Sequence, residues 1–304
     1  MSVSVPGTAA APSQDQARGL GGPAARAWRA LGQLPASLTA GAIIVLLVLG
    51  MAVGAGWLAP YPYDMMHYGD IQSPPSRQFV LGTDQYGRDV LSRILVGSRI
   101  SLCYGLGSTA LSLLLGVPLG LWAGYKGGRT DEALMRGLDV FMSIPPLLLG
   151  LLVLAMTEPA LWKTVAAIGI VSAPSAARIV RSVTLSLKNE EFVQAALARG
   201  EGDRYVVFDE ILANVWPSII VEAGLRVTFG ILLGAALSFL GLGAQPPSSD
   251  WGLMISEARP FLTVAPWAAL YPGVAMFVTV MGFNLLGDGL RDVLDPRLRH
   301  RPVR

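Results

Sequence analysis

The chain has 304 residues, of which 52% are hydrophobic and only 14% charged, against the roughly 25% charged residues usual in soluble domains. A mean hydropathy of +0.51, with 35 Gly and 21 Pro, excludes a soluble globular fold and a disordered chain; it suits helices that face lipid and accept small residues and helix breakers at their contacts. The net charge is +2, the single Cys103 rules out a disulfide framework or a Cys-based metal site, and His67 and His300 lie too far apart to suggest a shared metal site.

Residues 1–37 hold Arg18, Arg26 and Arg29 against the lone acid Asp15 and read as a cytoplasmic N-terminal tail. Residues 38–58 are 21 positions without a charge, enough at about 1.5 Å per residue to cross a hydrocarbon core of roughly 30 Å. A cleaved signal peptide would have a shorter apolar run nearer the start, so an uncleaved first transmembrane helix is expected. Residues 59–99 contain Pro60, Pro62, Pro74-Pro75, Gly82 and Gly87 and are too polar to enter lipid; they are expected as an extracytoplasmic segment. Apolar spans follow at 100–124, 138–156, 165–183, 218–240 and 265–286, a five-helix core over 100–286 that brings the total to six. Pro118, Pro145-Pro146 and Pro174 read as packing kinks, because neighbouring helices can satisfy the freed carbonyls. Residues 287–304 form a second tail.

With both termini cytoplasmic, sixteen Lys and Arg fall inside and six outside, and Arg226 lies within a span. The positive-inside rule therefore puts both ends in the cytoplasm, and the fold class is an all-α integral membrane protein. The sequence has no phosphate loop, no H-E-x-x-H and no G-x-S-x-G, so ATP hydrolysis, zinc proteolysis and hydrolase chemistry lack their minimum groups.

The cytoplasmic loop at 187–217 is the most informative stretch. Residues 190–199 suit a short helix with acids in its first turn; Gly200 and Gly202 break it; Asp203 can cap a second helix with Tyr205, Phe208 and Leu212 along it. Phe192, Val206, Val207, Phe208, Ile211 and Trp216 would leave apolar area in water, which favours a docking surface over a solvated connection.

Gln194-Ala195-Ala196, Gly200 and Ile211-Leu212-Ala213-Asn214 stand at the positions of the E-A-A…G…I-L-P-N pattern. The loop thus resembles the coupling loop of ABC importer permeases, with Gln194 for the usual Glu, Ala213 for the usual Pro, and Asp209-Glu210 where relatives tend to be basic. Leu81-Gly82-Thr83-Asp84, Gly87-Arg88-Asp89, Ser92-Arg93, Gly97, Arg99 and Ser101-Leu102 resemble the LGTDxxGRDxxSRxxxGxRxSL run of the dipeptide, oligopeptide and nickel "C"-type permeases. So do Ser238–Gly243, Gln245-Pro246-Pro247, Trp251-Gly252 and the Gly287–Arg297 stretch. The resemblance covers about 38–297.

It implies the type I, MetI-like permease fold and one half of a translocation pathway for di- or oligopeptides, worked by alternating access. The implied partners are a second homologous permease, two ATP-binding subunits or domains, an extracytoplasmic binding protein and membrane lipid, with no nucleic acid. No cofactor is expected in this chain, since ATP and Mg would be bound by the ATPase partners, and the chain itself would be a non-catalytic subunit of the bacterial cell membrane. Phe192, Gln194, Ala195, Ala196, Gly200, Asp203, Phe208, Ile211 and Asn214 would form the coupling loop. Asp84, Arg88, Asp89 and Arg93 form an outer motif, expected to pair among themselves. The competing readings are an ion-coupled secondary transporter, of which the inverted repeat is missing, and, within the family, a nickel-chelate permease.

Glu222 and Arg226 are the one pair of opposite charges well inside an apolar span. Spaced i, i+4, they can neutralise each other. They can also line the path, where a carboxylate and a guanidinium would suit the two ends of a peptide.

Overall fold

The computed structural model describes residues 35–294; the N-terminal tail expected at 1–37 and the C-terminal tail at 287–304 therefore lie largely outside the described residues. The elements are α1 (Ala36–Leu58), α2 (Val90–Leu102), α3 (Ser108–Lys126), α4 (Gly128–Met142), α5 (Pro146–Ala155), α6 (Leu161–Leu187), α7 (Glu191–Ala198), α8 (Asp203–Tyr205), α9 (Leu212–Phe239), α10 (Trp251–Ala258) and α11 (Trp267–Leu294). Wider π-type turns at Cys103–Gly107 and Val206–Ile211 join α2 to α3 and α8 to α9, so two continuous helices of 37 residues run from Val90 to Lys126 and from Asp203 to Phe239.

Three expected boundaries are corrected. The outer segment ends at Asp89, not 99, because the Asp89 carboxylate caps α2 by accepting from Ser92 N at 2.8 Å and Ser92 Oγ at 2.6 Å. The charges that made 90–99 look extramembrane find internal partners; Arg99, for example, donates from Nε to Ala52 O at 2.6 Å and from Nη2 to Val53 O at 3.1 Å on α1. The expected span at 138–156 is a pair, α4 and α5, bent by 77°. Pro145 and Pro146 supply no N–H and push the residue before each of them out of helical geometry, which opens a break where a packing kink was expected. Five helices of the described residues are thus long and apolar enough to cross a membrane, and six if the bent pair is one span. Finally, the second short helix of the cytoplasmic loop is the start of the long helix into α9 rather than a separate element.

Two close helix pairs organise the bundle. On α3, Gly116, Gly120 and Gly124 repeat every four residues and let the α6 backbone approach; a Cβ on Gly116 would stand 2.7 Å from Ala173 O. Small residues at this spacing drive helix contact in lipid, where apolar burial alone gives no net gain. The α1–α11 pair uses the same device at Gly41 and Gly289.

Between them sits α9. Its Gly230 and Gly234 lie against the π-type turn that carries Tyr104. Tyr104 is fully buried; its hydroxyl is 3.0 Å from Ser238 Oγ and accepts from Ala244 N at 2.9 Å.

Candidate functional site

The end of the bundle expected to be cytoplasmic is a knob with its own apolar core. Val193 and Ala196 of α7 and Val206, Val207, Ile211 and Val215 beyond it are fully buried against Leu121 of α3 and Val180 of α6. Half of the apolar pattern that suggested a docking surface is therefore spent on holding the knob to the bundle. Ala196 and Ile211 belong to this core and Phe192 is half-buried, whereas Gln194, Ala195, Gly200, Asp203, Phe208 and Asn214 are exposed.

The exposed apolar groups are Leu197, Tyr205, Phe208 (45% accessible) and Trp216 (52%). Leu197 is not singled out from the sequence, and Tyr205 reads there only as part of the apolar stripe of the second helix, since helical periodicity alone does not say which stripe faces inward.

Gly200 ends α7. Its φ is +81°, Gly200 N donates to Leu197 O and Glu201 N to Ala196 O. These are the two bonds of a Schellman turn, whose left-handed residue favours glycine. Asp203 does not cap the following helix, which has no side-chain cap at all; instead it accepts from Tyr125 Oη at 2.8 Å and pairs with Lys126 Nζ. Glu210 accepts from Arg199 Nη2 at 3.1 Å, so the acid that departs from the family's basic preference is paired within the chain.

Deeper in the bundle a cavity of about 330 Å³ opens beside the α4–α5 break, lined among others by Phe141, Leu149, Ser172, Glu222, Arg226 and Phe229. Arg226 Nη2 lies 2.9 Å from Glu222 Oε1, as the i, i+4 spacing predicted. Glu222 is farther from a helix end than expected, because the helix starts at Asp203 and not at 218. A second cavity of about 500 Å³ lies on the other side of Glu222 and reaches Asn214 and Arg291.

On the opposite face, Arg88 Nε and Arg93 Nη1 donate to Asp84 Oδ2 at 2.7 and 2.6 Å. The same guanidiniums reach Glu257 Oε2 at 2.7 and 2.9 Å. The expected clasp therefore contains three of its four residues; Asp89 is used as the cap of α2, and Glu257 of α10 replaces it. Nothing in the sequence marks Glu257, which is 169 positions from Arg88. Gly87, with φ +74°, makes the turn that returns the chain to Arg88.

Near this clasp Asp250 is fully buried and accepts from Leu253 N at 3.1 Å at the start of α10. Burial pushes its carboxyl up to about 6, against the opposing pull of the α10 N–H groups.

Residues 116–300 match the family described as the inner membrane component of binding-protein-dependent transport systems, and residues 22–75 match the N-terminal transmembrane domain of oligopeptide transport permease C. The glutathione transport system permease of Pectobacterium atrosepticum is 42% identical over 273 residues, covering 90% of each chain. The di/tripeptide transport system permease of Pseudomonas aeruginosa is 38% identical over 95% of this chain and 97% of that one. A dipeptide transport system permease of Alkalihalophilus pseudofirmus is 40% identical over 85% of each. Among solved structures, a chain of the inward-facing MetNI methionine ABC transporter superposes with a TM-score of 0.58 at 16% identity, covering 67% of this chain and 96% of its own, a likeness of fold alone. These matches set aside the ion-coupled alternative. With five to six apolar spans, a MetI-like helical fold and two matching families in the expected order, the chain belongs to the binding-protein-dependent transport system inner membrane components and is a multi-pass permease subunit of a bacterial ABC importer.

Proposed function

We propose that the chain forms one half of the translocation pathway of an ATP-driven importer of di- or oligopeptides. A second, homologous permease completes the pathway, two ATP-binding subunits or domains that hold ATP and Mg dock on the cytoplasmic knob, and an extracytoplasmic binding protein delivers the solute. The chain contributes no bond-breaking chemistry; closure of the ATPase pair drives it between inward- and outward-open forms. The solute class is supported by the relatives named for glutathione, dipeptide and di/tripeptide transport. The docking of the ATPases is carried by one observation: the knob is anchored by a buried core yet keeps Leu197, Tyr205, Phe208 and Trp216 on its surface. Aromatic side chains grouped around a rigid projection are typical anchors of a protein interface.

The test is Phe208→Asp in the full chain, co-expressed with its partner subunits and purified from membranes. Recovery of the ATPase with the permease should fall about tenfold, the expected cost of a charge placed at an interface anchor, while the permease stays in the membrane. Full recovery of the ATPase would show that the contact lies elsewhere.

A further inference from the structure

We propose that the cavity beside the α4–α5 break receives the ammonium end of the transported solute, with Glu222 as the acceptor and with Arg226 committed to holding Glu222 rather than to binding solute. The proposal rests on the peptide-importer reading and adds to it which end of the solute this chain recognises.

The side chain of Arg226 is only 7% accessible. Nη1 donates to Ser172 O at 2.9 Å and to Ser112 Oγ at 3.3 Å; Nη2 faces Ser175 Oγ at 3.2 Å and Glu222 Oε1 at 2.9 Å. Both terminal nitrogens thus have protein partners, from α3, α6 and α9, while Nε is buried without one. A guanidinium grips a carboxylate through two parallel N–H groups, and Arg226 has no such fork to offer without dismantling these contacts. The i, i+4 pair therefore does not read both ends of a zwitterion.

Glu222 is different. Arg226 Nη2 stands 2.9 Å from its Oε1, the side chain remains 19% accessible, and Glu222 lines both cavities. Its position is fixed, yet part of its accepting capacity faces open space. Beside it, Ser172 is nine-tenths buried in the same cavity wall and its Oγ has no hydrogen-bond partner. Buried hydroxyls are seldom left unpaired, yet this Oγ is itself sealed from the cavity, so Glu222 carries the polar recognition. A carboxylate oxygen suits an ammonium, which has only N–H donors to offer.

The remaining wall is apolar, with Phe141, Leu149 and Phe229, and the volume is at the lower end of pockets that hold small ligands. Arg226 cancels most of the Glu222 charge, which keeps the attraction modest. A transport path requires that compromise, since a solute held tightly would not leave.

The test compares uptake of Ala-Ala and N-acetyl-Ala-Ala by the complete transporter in liposomes, driven by ATP and supplied by one binding protein. Using one binding protein throughout cancels its own discrimination when variants are compared. Glu222→Gln should lower the ratio of Ala-Ala to acetylated uptake about tenfold, the weight of one charge-assisted contact. An unchanged ratio with uptake still measurable would overturn the proposal.

If Glu222→Gln does not assemble, Glu222→Asp decides the matter. It keeps the charge that Arg226 needs and withdraws the carboxylate by one methylene, so the ratio should fall about threefold; here too an unchanged ratio would overturn the proposal. Failure of the wild-type transporter to accumulate either dipeptide would instead refute the peptide-importer reading, and this proposal with it.

Discussion

The outer clasp and the cytoplasmic knob are built from the same residue types and behave as different materials. At the outer face, Asp84, Arg88 and Arg93 are nearly inaccessible and Glu257 only slightly open, with the carboxylates shared between two guanidiniums. At the inner face, Lys126–Asp203, Arg178–Asp139 and Arg199–Glu210 are pairs with at least one widely exposed partner. Burial, not the number of charges, separates them. A buried charge that loses its partner cannot be rescued by water, whereas an exposed one is re-solvated almost at no cost. The outer network is thus an all-or-none fastening of the loop before α2 to α10, and the inner pairs lie around the surface on which we propose that the ATPases dock.

The largest expected effect comes from breaking the clasp. Glu257→Ala leaves two buried guanidiniums sharing one carboxylate and should destabilise the folded protein by about 3–5 kcal/mol, read as a fall in thermal midpoint in detergent and in membrane yield. A loss below about 1 kcal/mol would put the clasp in the same class as the knob pairs.

Asp250 sharpens the comparison, because it is a carboxylate as buried as the clasp but without a cation in contact. With its pKa raised to about 6, the folded state holds a proton between about pH 4 and 6 that the unfolded chain has released, so stability falls as pH rises through that window. Asp250→Asn keeps an oxygen for the α10 cap and removes the charge. It should stabilise by up to about 3 kcal/mol near pH 8 and by almost nothing near pH 4, measured by thermal unfolding at the two pH values. Equal gains at both would mean that ionisation is not the source.

Gly200 probes the knob backbone. A Cβ there meets nothing within 4 Å, so the cost of Gly200→Val is the left-handed φ alone, about 1–3 kcal/mol. Transport per ATP hydrolysed should drop while the protein stays in the membrane, and Gly200→Asn should restore much of it because Asn tolerates that φ. Normal transport by the Val variant would detach the turn from coupling.

The smallest effect belongs to Asp203→Asn, a slight fall in thermal midpoint at low salt that vanishes in molar salt, where exposed pairs are screened. A loss that ignores salt would show that the knob is drier in the assembled protein than in the isolated chain.

Several features needed no structure. The uncharged run at 38–58 and the later apolar stretches set the number of crossings to within the one bent pair, because insertion depends on local composition and length. Motifs in fixed order identified the family. Glu222 and Arg226 paired as their spacing required, since four residues on a helix are always neighbours.

What the sequence left undecided was every contact between distant segments and every choice of which helix face looks inward. Arg93 and Arg99 read as loop charges until their partners on α10 and α1 were in place. Asp203 looked like a helix cap until Tyr125 and Lys126, from the end of α3, reached it. Ser112, Ser172 and Ser175 carry no mark of their role, yet they commit Arg226 and leave Glu222 free. Local sequence determines which segments enter the membrane and how each turns, because those energies are summed over neighbouring residues. Only the packed bundle decides which charges are neutralised, since that depends on the few ångströms separating groups that lie from 47 to 164 residues apart in the chain.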